Sequence, residues 1–185
     1  MKIIIKAVPQ RQDCIDYLSR HLPDALFCMD EKQDAMDTLL RSLEMAKNEP
    51  CIHMEEDIII TKDFLSKAIK VITTKPFNVI QFFSMRKKDI EVGSRWDRNF
   101  LMNQCFYAPP QYSGQIKDFA EKWIILNKPD KGHGTDTMIR DFFKARREDY
   151  WIHCPSLVDH RVMKSAIDPR RSSKRQSFTF VDPVR

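Results

Sequence analysis

Apolar and polar positions along this chain fall into two rhythms. Lys2 to Val8 (KIIIKAV) is a short, continuous, β-branched run, the pattern of a strand buried on both faces. Pro9 ends it, and Asp13 to Leu22 then carries Cys14, Ile15, Leu18 and Leu22 at helical spacing. Ala25 to Met29 reads as a second strand. Asp34 to Lys47 sets Met36, Leu39, Leu40, Leu43 and Ala46 on one stripe of a helix. Beyond Glu49-Pro50, Cys51 to Met54 forms a third strand that runs straight into Glu55-Glu56-Asp57. An amphipathic helix follows over Phe64 to Ile72, with Thr61 or Asp63 placed to cap it.

The second half repeats the theme less regularly. Asn78 to Phe83 reads as a strand, and the charged stretch Arg86 to Arg98 as a loop. Asn103 to Ala108 alternates like a strand until Pro109-Pro110 stops it, and Gln115 to Leu126 is helical. Lys128 to Gly134 is a loop, Thr135 caps a helix from Asp136 to about Ala145, and Tyr150 to Cys154 is the last strand. Strands alternating with helices predict βαβ units with right-handed crossovers. The expected fold is therefore α/β: one domain over 1–163, with a mixed, mostly parallel sheet flanked by helices, then a tail over 164–185. In such sheets ligands bind beyond the carboxyl ends of the strands, which is where the acidic triplet falls.

Composition narrows the classes. The 185 residues include only 4 Gly, so no glycine-rich phosphate loop is present. No apolar run approaches the length of a membrane span, and the N-terminus lacks a secretory pattern, which predicts a cytoplasmic protein. The five cysteines are odd in number and never spaced C-x-x-C, against both a disulfide framework and a zinc knuckle. Net charge is +5, and from Arg161 to Arg185 seven Lys/Arg face two Asp. That segment is either an anion-attracting tail or a solvated terminus.

Three consecutive carboxylates at a strand end repel one another, and a hard divalent cation such as Mg²⁺ or Mn²⁺ would relieve this. A solvated acidic turn is the plain alternative. The stretch Ile52 to Ile58, with Thr61 and Phe64, resembles the acidic segment of GT-A-fold glycosyltransferases, where the triplet is the D-x-D-type motif. That resemblance implies a nucleotide-sugar donor, with Asp57 as metal ligand and Glu55 and Glu56 supporting. Here Glu stands at the middle position where Asp is commoner.

Further segments resemble the same family in the same order. Val8-Pro9-x-Arg11 is similar to its nucleotide-binding start, and Gln104 to Pro109 to the strand lining its acceptor side. Gly134-Thr135-Asp136 is similar to the acidic helix start whose carboxylate, in inverting members, is the general base; by itself this is an ordinary helix cap. Trp151 to His160 resembles the closing "P-S-L-V-x-H" segment, which implies His160 as a second metal ligand; His153 reads as core or outer shell, and His133 could touch the acceptor. The tail residues Lys164, Ser165, Arg170, Arg171, Lys174 and Arg175 would lie near the diphosphate and order when donor binds. The likeness runs from Val8 to Ser165 and is to minimal members, including those of viruses and phages, for which a modified base in DNA is a possible acceptor beside a saccharide. A nucleotidyltransferase, or a nucleic-acid-binding module using Arg95, Trp96 and Arg98, remains the alternative.

Overall fold

The computed structural model describes residues 1–129, 134–166, 173 and 175–184. Its elements are β1 (Lys2–Ala7), α1 (Gln12–His21), β2 (Leu26–Met29), α2 (Ala35–Ala46), β3 (Cys51–Glu55), β4 (Ile58–Ile60), α3 (Phe64–Thr74) and β5 (Ile80–Gln81). The chain continues through α4 (Asp89–Val92), β6 (Arg95–Asp97), β7 (Cys105–Ala108), α5 (Tyr112–Asn127), α6 (Thr135–Arg146), β8 (Tyr150–Ile152) and β9 (Val158–His160). Seven strands make one sheet in the order β2-β1-β3-β7-β5-β8-β6. The pairings β1/β2, β1/β3 and β5/β8 are parallel, while β7 and β6 run against their neighbours. This is a mixed α/β domain with a mostly parallel central sheet between helices.

The helices cover the two faces because each presents one apolar stripe. Tyr17 and Leu18 of α1, Leu22 just past its end, and Phe64 and Ala68 of α3 pack with Ile5, Met54 and Phe82. Leu39 and Leu43 of α2, Ile116 and Trp123 of α5, and Ile139, Phe142 and Phe143 of α6 pack with Phe106 and Tyr150. The α-helical and strand expectations of the first half hold to within a few residues at the ends.

Four expectations need correction. The charged stretch 86–98 contains α4 and β6. Its buried charge is matched: Arg95 Nε donates to Asp89 at 2.7 Å and Ser84 Oγ to the other Asp89 oxygen at 2.5 Å, with Asp89 itself buried. Next, the N-cap of α6 is Gly134 at φ 91°, a left-handed conformation that suits glycine, and Thr135 is already helical. Third, Tyr150–Ile152 is followed by another strand: β9 pairs antiparallel with β4 in a two-stranded ribbon, Ile58 opposite His160. Finally, part of the tail is built into the fold. Val184 N donates to Ile60 O at 3.0 Å, Lys62 N to Asp182 O at 2.8 Å, and Tyr17 Oη to Val184 O at 3.1 Å.

His53, inside β3, is fully buried, stacks on Phe106 at 5.1 Å and meets Ser113 Oγ through Nε2 at 3.0 Å. Burial, aided by the charge of Lys6, drives its pKa down to about 3. In the unfolded chain an imidazole titrates near ~6.5, so between these values only the unfolded state binds the proton. Stability from this group is complete above ~6.5 and drains away as pH falls towards 3, at up to about 1.4 kcal/mol per pH unit. Urea unfolding between pH 7 and 5 is expected to show that slope, and His53→Gln to flatten it by about one proton. An unchanged slope in the variant removes His53 as its source.

Candidate active site

Strand β1 ends at Ala7, and the turn Val8 to Arg11 (Arg11 N to Val8 O, 3.1 Å) feeds α1. Arg11 sits at the N-cap of α1, and its side chain turns back across the end of the neighbouring strand β3. Nη1 donates to Glu56 Oε1 at 2.8 Å and Asp57 Oδ2 at 2.7 Å, and Nη2 to the carbonyl of Lys164 at 2.7 Å. Glu56 and Asp57 are both nearly out of reach of solvent. Burial and the adjacent Asp57 raise the Glu56 carboxyl, and Arg11 only partly offsets them. For Asp57, burial pushes upward, but the contacts with His160 and Arg11 outweigh it and hold the carboxyl below the usual range. Burial lowers the Arg11 guanidinium and the two carboxylates more than restore it.

The β4–β9 ribbon brings His160 to this cluster. Opposed to Ile58, its ring lies next to Asp57, with Nε2 3.2 Å from Oδ2. Nδ1 lies 2.5 Å from the Arg161 carbonyl, which can only accept, so this nitrogen carries hydrogen and the ring orientation is fixed. Arg175 Nη2 stands 3.0 Å from the same Nε2. Asp57 Oδ2, His160 Nε2 and the Arg175 guanidinium thus meet at one point. Asp57 Oδ1 is buried and has no hydrogen-bond partner among the described residues. A carboxylate with one unmatched oxygen, and an imidazole nitrogen once Arg175 gives way at it, are donor types that fit a hard or borderline divalent cation. Among the described residues, no group of three or more His, Cys, Asp or Glu side chains converges as a metal cage, so ligand oxygens would have to complete the shell.

Arg11, Glu56, Asp57 and Arg175 line a cleft of about 700 Å³ of atom-free space, including the part open to solvent. Of the residues singled out in the sequence, Val8, Arg11, Glu55, Glu56, Asp57, Asp136, Ser165 and Arg175 border it. His160 lies behind Asp57 and is fully buried. Pro9 is exposed on the turn and is not part of the wall, because the turn points it outward. Of Gln104 to Pro109 only Gln104 faces the cleft, since Cys105 to Ala108 are core. His153 is half-buried, edge-on to Phe82 at 6.3 Å. His133, Arg170, Arg171 and Lys174 lie outside the described residues.

Sequence reasoning did not single out Lys6, Asp30, Thr38 and Asn103, which also form the wall. Lys6 had a signal, a lone charge inside the apolar run KIIIKAV. The basic-aromatic stretch is largely self-satisfied: Arg95 pairs with Asp89 and Asp97, Arg98 with Asp149 at 2.8 Å, and Trp96 meets Trp151 edge-on at 5.1 Å. Among the described residues, no helix is long and apolar enough to cross a membrane.

No protein-family model matches the chain, and no curated protein matches it in sequence. Solved structures do resemble it. The crystal structure of A197 from STIV aligns over 100% of this chain and 97% of that one, with TM-score 0.53 and 14% identity. Apo UDP-glucose pyrophosphorylase aligns over 82% of this chain and 72% of that one at TM-score 0.46 and 10% identity. Its complex with UDP-glucose gives 0.45 at the same identity and coverage. At such identity the similarity to A197 is one of fold: a mixed α/β domain matched along its whole length.

Proposed function

We propose that this chain is a metal-dependent glycosyltransferase that moves a sugar from a nucleotide-sugar donor to a hydroxyl acceptor. The observation that carries this reading is the meeting of Asp57 and His160, 103 positions apart in sequence, 3.2 Å from each other, with Asp57 on the wall of a cleft that Arg11, Arg175 and Asp136 also line. Asp57 and His160 would hold the divalent cation, and Glu55 and Glu56 support them. Bound there, Mn²⁺ or Mg²⁺ would neutralise the donor's diphosphate as it leaves. Arg11 and Arg175 add positive charge on the same wall, and Val8, Ser165, Arg170 and Arg171 complete the donor-binding set.

Asp136 stands in the first turn of α6, on the cleft wall. Its role is to accept the proton of the acceptor hydroxyl as that oxygen bonds to the sugar's anomeric carbon and the bond to the diphosphate breaks. The test is a thermal-shift screen of nucleotide sugars with and without Mn²⁺. A donor at about 100 times its Kd adds about 2.7 kcal/mol to the native state, a rise of roughly 5–10 °C for a chain of this size. That rise is expected only when metal and nucleotide are both present. A flat screen sinks the reading, and release of pyrophosphate instead of nucleoside diphosphate would assign nucleotidyl transfer.

A further inference from the structure

The register of the three central strands lines up one row of polar side chains along the cleft. Lys6 of β1 pairs with Glu55 of β3. Glu55 N in turn donates to Gln104 O at 2.9 Å, one step beyond the last β3–β7 pair, Met54 with Cys105. Paired residues on neighbouring strands project from the same face. The previous row on that face is Ile4, His53 and Phe106, all fully buried. Phe106 packs with α2, α5 and α6, so the row lies on the face to which Thr38 of α2 and Asp136 of α6 contribute cleft wall.

Such a row is costly to bury unless its polar groups are matched. Lys6, Asn103 and Gln104 expose 7%, 3% and 2% of their surface. Lys6 Nζ lies 3.6 Å from Glu55 Oε1, and the Asn103 amide, turned so that its oxygen meets Lys6 and its nitrogen Glu55, accepts at 3.3 Å and donates at 2.7 Å. The Asn103 contact engages one hydrogen of the ammonium, and Glu55 at 3.6 Å is an ion-pair neighbour beyond hydrogen-bond reach. Gln104 Oε1 is buried with no partner among the described residues. The row thus has a spare donor and an unmatched acceptor on one wall. A phosphate offers acceptors alone and would meet the Glu55 carboxylate. A hydroxyl donates and accepts at once.

We propose that this row is the subsite for the hydroxyls of the transferred sugar, with Lys6 as donor and Gln104 Oε1 as acceptor. The proposal rests on the glycosyl-transfer reading and specifies what the donor presents there, a polyhydroxylated ring. It makes Gln104 a specificity-determining residue.

Isothermal titration of the full chain in Mn²⁺, comparing UDP with UDP-glucose and GDP with GDP-mannose, tests it. Wild type is expected to bind the matching sugar nucleotide more tightly than the bare diphosphate. Gln104→Leu, and the nearly isosteric Gln104→Met should the first variant pack poorly, are expected to weaken the sugar nucleotide about three- to tenfold. Both should leave diphosphate affinity within about twofold. Equal loss for both ligands, or none for either, overturns the subsite. Wild type that binds diphosphate and sugar nucleotide equally well also overturns it while the donor site stands. Wild type that binds none of the four overturns the glycosyl-transfer reading and the subsite with it.

Discussion

Asp57→Asn is expected to cost the protein about 3–5 kcal/mol of unfolding free energy at pH 7, and to remove any Mn²⁺-dependent rise in melting temperature. The first effect follows from burial. Asp57 is the shared partner of Arg11 at 2.7 Å and His160 at 3.2 Å, and its side chain is only 6% exposed. Removing one member of a buried ion pair leaves the other's charge desolvated and unmatched. The second effect follows from the ligand role proposed for this carboxylate. With it gone, transfer should fall by roughly 10³-fold or more, because several kcal/mol of charge stabilisation goes too. Asp149→Asn is the control. It breaks the ion pair with Arg98, whose two side chains are 48% and 45% exposed, and should change stability by less than about 1 kcal/mol. A variant at position 57 that loses stability yet keeps its full response to Mn²⁺ would mark the cluster as purely structural.

Asp136→Asn should act on rate and spare binding. The amide keeps the size and the place at the start of α6, but it cannot take a proton. Loss of a general base costs typically ~10² to 10⁴ in turnover. Donor affinity, read by titration, should stay within about twofold, because the donor's diphosphate is assigned to Arg11, Arg175 and the Asp57 metal site and not to Asp136. Turnover within about threefold of wild type would remove Asp136 from the proton path and favour a mechanism that retains anomeric configuration.

What the sequence made legible was local. The buried run of β1 and the stripe of α2 announce themselves because neighbouring positions decide them. The stretch 86–98 was opaque because its order depends on Asp89 finding Arg95 and on Trp96 lying opposite Trp151 across a strand pair. Its charge pattern alone looks like solvent-exposed loop. The docking of Val184 against Tyr17 and Ile60 was hidden for the same reason, since only the folded chain brings those residues together.

The candidate site divides along similar lines. Glu55-Glu56-Asp57 stood out as a local cluster of like charges, while the proximity of His160 depends on the β4–β9 register and had no local signal beyond the family resemblance. The polar row was invisible, because aligning Lys6 with Gln104 requires knowing that β7 sits beside β3 and runs the opposite way. Its parts looked like one stray lysine and the start of an ordinary strand.

The reversal of β7 has a consequence for how such a protein could diversify. In a wholly parallel sheet each strand delivers residues to the ligand as it leaves, so variation accumulates downstream of strands. Here one central strand delivers Asn103 and Gln104 as it enters, and leaves at Pro109 on the opposite rim, where Gln111 N bonds to Asn48 O at 2.9 Å. Insertions ahead of β7 would therefore remodel substrate selection, whereas equal insertions just after it would alter only the remote side. Two short connections flanking the same four residues carry opposite evolutionary freedoms.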